Sequence, residues 1–210
     1  IKKMFVDLEN YYYYITVTNE NYMQPAQPKG SEEGIIKGLY KLNNHNKPQV
    51  ILIGSGSILN ESMKAQKILD SFGIGSAVWS ATSFNMLRKD GMEKERFNEL
   101  NPTSKHEKTY VEECLPSSET PVIAATDYIR AYPEQIRAFI KAPYYTLGTD
   151  GYGRSDSRQK LREFFEVDAN NIARLAIYSL FCKGDINKKE IASLYKKLKV
   201  DSSKPNPWEV

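Results

Sequence analysis

The chain has little cysteine, little histidine and no long apolar run. Cys114 and Cys182 are its two cysteines among 210 residues. Neither has partners at zinc-ligand spacing and no disulfide framework is possible from such a pair pattern, so a reducing, cytoplasmic setting is the plain inference. No apolar segment approaches the ~18 residues that suggest a membrane span. A basic arm is missing too. Lys plus Arg number 29 against 26 Asp plus Glu, a net charge of +3, and the cations are scattered among the acids, which argues against a dedicated nucleic-acid binder. The chain opens on Ile1 with no basic-then-apolar leader behind it. That favours a processed or excised fragment without a presequence. No internal repeat and no low-complexity segment occurs.

What is present is a globular composition, 40% hydrophobic and 26% charged, long enough for one large domain with a sizeable core. Residues 11 to 17 form an aromatic and β-branched run that favours a strand, with little before it to pair with. It reads as the last strand of a preceding domain whose end is residues 1–18, and is expected to be displaced or paired with another chain. Residues 19–33 are polar and carry Pro25, Pro28 and Gly30, the chemistry of an extended linker. The main domain is therefore expected over residues 34–210, with Ser31 capping one helical turn at its start.

Beyond the linker, Gly38 to Leu42 reads as a short strand and Gln49 to Ile53 as a fully buried one. The turn between them suggests an antiparallel hairpin at a sheet edge. Strands and helices then alternate. A helix over Ser57 to Ser71 places Ile58, Met63, Ala65, Ile68, Leu69 and Phe72 near one face and stops at Gly73. Ile74 to Ala81 is a strand, Ser83 to about Leu100 a helix that Pro102 stops, Pro121 to Asp127 a strand, Pro133 to Ile140 a helix, and Tyr144 to Leu147 a strand. Such alternation implies a mainly parallel sheet with helices on both faces. Asp156, Asp168 and Asn187 are placed to cap helices running through Phe165, Lys183 and Lys199, and Gly184 separates the last two. Pro205 and Pro207 close the chain in a tail expected to be poorly ordered.

Chemistry-bearing motifs are few. Gly54 to Gly56 lies between a strand and a helix, where a dinucleotide loop would sit, but the third glycine position holds Leu59, so a tight turn is the simpler reading. Gly148 to Gly153 lacks the lysine of a phosphate-cradling loop. It continues through Arg154, Ser155, Asp156 and Arg158 at the carboxyl end of a strand, where open α/β sheets place functional loops. The competing reading is structural: Asp156 caps the next helix and the arginines pair with neighbouring carboxylates or carbonyls. An anion-binding module at this turn is the alternative function. His45 and His106 sit in polar segments without a nucleophile motif and read as exposed. Cys182 falls on the apolar side of a helix and reads as a packed small hydrophobe. The Tyr11 to Tyr14 cluster reads as alternating burial in a strand rather than a base-stacking platform.

Several longer strings carry a family resemblance. They are Tyr13 to Thr16, Asn19 to Tyr22, Glu32 to Gly34, Leu52 to Leu59, Thr82 to Phe84, Arg88 to Gly91, Thr126 to Tyr128, Gly148 to Arg158, Phe165 to Asp168, and Val200 with Asp201. In this order they resemble the carboxyl-terminal region of homodimeric, thiamine-diphosphate-dependent pyruvate dehydrogenases. The resemblance implies a three-layer α/β/α domain of the transketolase carboxyl-terminal type, with a mostly parallel five-stranded sheet and one antiparallel edge strand. It also implies an enzyme that decarboxylates pyruvate on thiamine diphosphate with magnesium and passes the acetyl unit to lipoyl groups of dihydrolipoyl acetyltransferase. The amino-terminal and middle domains of the same enzyme and a second subunit would be the other partners, with no nucleic acid and no membrane. The family's Gly-Asp-Gly metal-diphosphate motif does not occur here, so no cofactor is expected for the chain alone. Tyr22, Met23 and Gln24 would be the substrate-proximal segment. Where some relatives carry a histidine after this tyrosine the chain has Met23, which cannot donate a hydrogen bond, leaving Tyr22 or Gln24 for a polar contact. Asp150, Arg154, Ser155, Asp156 and Arg158 would serve the subunit interface or the active-site mouth, with no catalytic residue and no metal ligand assigned.

Overall fold

The computed structural model describes residues 1–10, 12–15, 17, 21–43, 47–115 and 118–210. Its centre is one sheet built from β1 (Leu39–Lys41), β2 (Val50–Ser55), β3 (Ser76–Ala81), β4 (Val122–Ala125) and β5 (Tyr144–Leu147), in the spatial order β1-β3-β2-β4-β5. β2, β3, β4 and β5 are mutually parallel. β1 runs antiparallel to β3, with Leu39 opposite Ala81 and Lys41 opposite Trp79. The helices are α1 (Lys2–Phe5), α2 (Glu32–Lys37), α3 (Ile58–Ser71), α4 (Phe84–Leu100), α5 (Tyr110–Cys114), α6 (Ala131–Glu134), α7 (Arg158–Phe164), α8 (Ala169–Lys183) and α9 (Lys188–Leu198).

Side chains alternate across β2 and divide the interior into two cores. Val50 and Leu52 join Ile58, Ala65 and Leu69 of α3 and Ile172, Ala176 and Leu180 of α8 on one face. Ile51 and Ile53 join Phe84 and Leu87 of α4, Val111 of α5 and Phe139 on the other. Helices thus cover both faces, and the strands read as continuous apolar runs because neither face meets water. This is the expected three-layer α/β/α arrangement with one antiparallel edge.

The sheet corrects the expected hairpin. β1 lies beside β3, because β2 is already hydrogen-bonded to β3 on one side and β4 on the other. Gly38 makes the approach possible: it closes α2 at φ +106°, and a Cβ there would stand 2.6 Å from the Ser83 carbonyl oxygen. The turn residue His45 lies outside the described residues.

Helix ends show further differences. Ser31 precedes α2, but its hydroxyl donates to the Pro28 carbonyl at 2.8 Å instead of capping. The helix expected over Pro133 to Ile140 is divided into α6 and a 3-10 turn, Arg137–Phe139. The cap of α7 is Ser157, which accepts the Lys160 N–H, whereas Asp156 accepts the adjacent Ser157 N–H at 2.6 Å. Ser157 wins because it has the extended backbone of a cap residue directly before the first helical turn. Asp168 and Asn187 cap α8 and α9 as expected, and Gly184 ends α8 at φ +93°.

The expected disordered tail folds back. Lys204 donates to the carbonyls of Glu163 and Phe164 at 2.7 and 3.0 Å, and Pro207–Glu209 form a 3-10 turn. Cys182 is exposed rather than packed, while Cys114 is half-buried and burial raises its thiol pKa. His106 is exposed. Residues 12–15 and 17 carry no regular structure; Tyr12, Tyr14 and Val17 are each more than four-fifths exposed. Tyr11 lies outside the described residues.

Candidate functional site

The order β1-β3-β2-β4-β5 reverses direction between β2 and β4. In a sheet of parallel strands, the carboxyl ends at such a reversal leave a crevice where the first loops diverge. Here Ser57 follows β2 and Asp127 follows β4, and the Ser57 hydroxyl donates to Asp127 Oδ2 at 3.1 Å across that gap. Gly56, at φ +57°, turns the chain from β2 into α3.

A third wall comes from the loop after β5. Thr149 donates its backbone N–H to the Tyr128 carbonyl at 2.9 Å and its hydroxyl to the Asp127 carbonyl at 2.8 Å. Asp150 accepts the Arg130 N–H at 3.0 Å and pairs with its guanidinium at 3.4 Å. A Cβ on Gly148 would meet the Arg130 nitrogen at 2.6 Å, so glycine permits the two loops to touch. Gly151, at φ +98°, makes a similar close approach to Trp208.

α7 then crosses the opening. It brings Arg158, in its first turn, and Arg162, one turn later, into the crevice, where Arg154 also stands. Together these walls enclose about 270 Å³. Arg162 is the hub. Its guanidinium donates to Glu61 Oε1 at 3.3 Å, to the Tyr22 hydroxyl at 2.9 Å and to the Ser57 hydroxyl at 3.3 Å. Glu61 is almost fully buried on α3 and also accepts from Lys64 at 2.8 Å and from the Ala169 N–H, at the start of α8, at 3.1 Å.

The residues singled out from sequence divide among three places. Arg154 and Arg158 line the crevice, and Tyr22 reaches it through Arg162. Met23 and Gln24 are exposed in the same linker. Asp150 faces Arg130 rather than the cavity. Ser155 and Asp156 line a neighbouring depression with Lys160 and Phe164, while Arg154 also donates to the Val210 carbonyl and lies over the Phe164 ring. A larger depression of about 850 Å³ lies between α7, α8 and the end of α9, away from the strand ends. Its charges satisfy one another: Glu166 pairs with Arg174 at 3.0 Å and with Lys204 at 3.5 Å.

Ser57, Glu61, Asp127 and Arg162 were not singled out in the sequence. Asp127 had a signal, an acid at the end of a buried strand. Arg162 had a weaker one, the four-residue spacing from Arg158 that puts both on one helical face. Glu61 had none, since an acid in a first helical turn is ordinary. Among the described residues no group of three or more His, Cys, Asp or Glu side chains is placed to hold a metal ion, and no helix is long and apolar enough to cross a membrane.

This combination of sheet order and covering helices defines an α/β domain of the transketolase carboxyl-terminal class, and residues 38–168 match the family model described as the transketolase-like TK C-terminal domain. The chain belongs to that family. A transketolase from Pichia stipitis shares the fold with a TM-score of 0.51 at 21% identity, over 72% of this chain and 19% of that one. More specific similarity comes from proteins named pyruvate dehydrogenase E1 component. The one from Pseudomonas aeruginosa is 51% identical over 99% of this chain and 24% of its own length. The one from Escherichia coli K12 is 46% identical over 95% of this chain and 23% of its own. The chain thus spans about a quarter of the length of the curated relatives it matches.

Proposed function

We propose that the chain is the carboxyl-terminal domain of a pyruvate dehydrogenase first component, the enzyme that decarboxylates pyruvate on thiamine diphosphate and transfers acetyl to lipoyl groups. The observation that carries this reading is the 51% identity to the Pseudomonas aeruginosa E1 component across 99% of the chain. In this reading the domain is noncatalytic and supports dimerisation and the shape of the active site, in a cytoplasmic complex with dihydrolipoyl acetyltransferase.

The described residues at the crevice do not fit the metal and cofactor. Magnesium demands several hard oxygen ligands in near-octahedral array, and the carboxylates at the crevice, Asp127 and Glu61, are engaged by Ser57 and by Arg162 with Lys64. In this reading the diphosphate and metal ligands belong to the preceding domains. The contribution of this chain is positional. Tyr22, held by Arg162 at 2.9 Å, fixes the linker against the crevice, so that residues 22–24 are presented from a rigid support. The exposed apolar side chains of Phe5, Val6, Leu8, Tyr12, Tyr14, Ile15 and Val17 favour residues 1–18 as the end of a preceding domain that covers them. Residues 19–33 then act as the linker, and the Gly148 to Arg158 loop faces the second subunit or the active-site mouth.

The test is an assay of the complete gene product that contains this chain. Pyruvate-dependent, thiamine-diphosphate-dependent acetylation of a lipoyl domain is the expected result. A product that folds, binds the cofactor and leaves pyruvate untouched overturns the reading.

A further inference from the structure

α9 carries a charge that the positional role does not use. From Lys183 to Lys204 the chain has seven lysines against Asp185, Glu190 and Asp201, a net charge of +4 within a chain of +3, so all other residues together carry −1. The three acids are occupied. Asp185 pairs with Lys183 at 2.9 Å, Glu190 accepts the Asn187 N–H at 2.8 Å in the cap of α9, and Asp201 accepts the Ser203 N–H and hydroxyl at 2.9 and 2.6 Å. Lys204 turns the other way, toward Glu166 and the end of α7. That leaves Lys188, Lys189, Lys196, Lys197 and Lys199, all exposed and without an ion pair among the described residues. By contrast, Lys37 of α2 pairs with Glu33 at 2.7 Å and Lys160 of α7 with Glu163 at 3.6 Å. We propose that the outer face of α9 docks an acidic segment of a partner protein. This goes beyond the reading above and holds whether or not the complete protein acts on pyruvate.

Helical spacing gathers these charges. Lys188, Lys189 and Lys196 share one side of α9, with the exposed Ala192 and Ser193 between them, and span two turns, about 12 Å. Lys197 borders the face over the Phe72 ring, and Lys199 closes it at the helix end. The opposite side holds Ile191, Leu194, Tyr195 and Leu198 against the first core. That arrangement selects the partner. A helix that lies on a membrane needs an apolar side free to bury in lipid, and α9 has committed its own to the core. Nucleic acid is held by basic walls that neutralise many phosphates and by surfaces on which bases stack. The remainder of the chain, at −1, supplies no second basic wall, and between the lysines stand Ala192 and Ser193 rather than rings or guanidinium groups. Lysine is a compact point charge with rotatable donors, which suits carboxylates that vary in orientation. Such contacts speed the encounter more than they tighten the complex.

The test is titration of the 210-residue chain, uniformly labelled with nitrogen-15, with an octaglutamate peptide. Both hydrophobic cores close within this chain. Saturable shifts centred on the α9 amides are expected, and octaglutamine should produce none. Raising salt from about 50 to about 300 mM should weaken the peptide about tenfold, because the screening length falls below the span of the face. The triple variant Lys188→Gln, Lys189→Gln, Lys196→Gln should weaken it about tenfold, and the double variant Lys37→Gln, Lys160→Gln should leave it unchanged. All three α9 lysines are exposed, so the triple variant should melt as the parent does; if it does not, Lys196→Gln, Lys197→Gln takes its place with about a fivefold loss. Equal affinity in the glutamine variant, shifts spread over the whole surface, or binding indifferent to salt would each overturn the proposal. So would tighter binding at the same amides by a thymidine octanucleotide or by phosphatidylserine vesicles, which would assign the face to nucleic acid or to a membrane. Because neither cofactor nor pyruvate enters the titration, its failure leaves the assay of the complete gene product untouched.

Discussion

Arg162 Nη1 stands 3.3 Å from Glu61 Oε1, joining positions 101 residues apart in the chain with side chains only 16% and 7% exposed. This pair holds α7, α3 and the first N–H of α8 in one network.

Removing one member of so buried a pair leaves the other uncompensated. Glu61→Ala should lower stability by about 3 kcal/mol in urea unfolding, since it strands both the Arg162 guanidinium and the Ala169 N–H. Lys64→Ala removes the network's exposed partner and should change stability by no more than about 0.5 kcal/mol. Equal effects from the two variants would show that the network is not organised around Glu61.

Close packing between α4 and the adjoining 3-10 turn gives an independent prediction. A Cβ on Gly91 would lie 2.2 Å from Cε2 and Cζ of Phe139, a buried ring of the second core. Gly91→Ala should therefore destabilise by about 1–3 kcal/mol despite improving helix propensity. Adding Phe139→Leu should return part of the loss, measured as a double-mutant cycle. Additive effects would contradict the contact.

The architecture was legible because its signals are local. Continuous apolar runs at Val50 to Ile53 and Pro121 to Ala125, separated by amphipathic stretches, announce a buried parallel sheet. Strand neighbours are not local information. The turn before β2 pointed to a hairpin with β1, yet a strand apolar on both faces, such as β2, belongs at the centre with a partner on each side. The same limit hid the site. Arg154 and Arg158 stood out beside glycines, but Arg162 gains its role from Glu61, Ser57 and Tyr22, whose proximity only the fold creates.

Acid sensitivity should be traceable in part to Glu134. Its hydrogen bond from Arg137 holds the carboxyl pKa below the ordinary carboxylate range, an effect that burial opposes and the Thr146 hydroxyl reinforces. A group whose folded pKa is depressed stabilises the fold above its unfolded pKa, and this contribution disappears as pH falls through the folded value. Glu134→Gln should thus reduce stability at neutral pH and flatten the decline below about pH 4.5. A parallel decline in both proteins would remove Glu134 from the acid response.

The 210-residue chain should bind magnesium thiamine diphosphate only negligibly, because among the described residues no group of three or more His, Cys, Asp or Glu is placed to hold a metal ion, and the buried Glu61 and half-buried Glu166 are committed to Arg162 and Arg174. Calorimetry with the cofactor and magnesium should give no saturable heat. Micromolar binding at one site would place diphosphate ligands in this domain and contradict the assignment to preceding domains.

The loop after β5 should owe its position to Asp150 more than to its arginines. Asp150 Oδ1 accepts the Arg130 N–H at 3.0 Å while Thr149 reaches the Tyr128 carbonyl at 2.9 Å, so two bonds of opposite direction pin the loop to the end of β4. Arg154 is itself exposed and lies over the half-buried Phe164 ring, where its loss costs little packing. Asp150→Ala removes a charged acceptor and leaves the Arg130 N–H without it, which should cost about 1–2 kcal/mol and accelerate hydrogen exchange at Arg130 and Thr149. Asp150→Asn keeps an acceptor oxygen but loses the charge that pairs with the Arg130 guanidinium, so its exchange rates should lie between. Arg154→Ala should leave both amides protected. If Arg154→Ala instead released them while Asp150→Ala did not, the loop would be held from its far end, and the crevice it walls would take its shape from α7 rather than from β4.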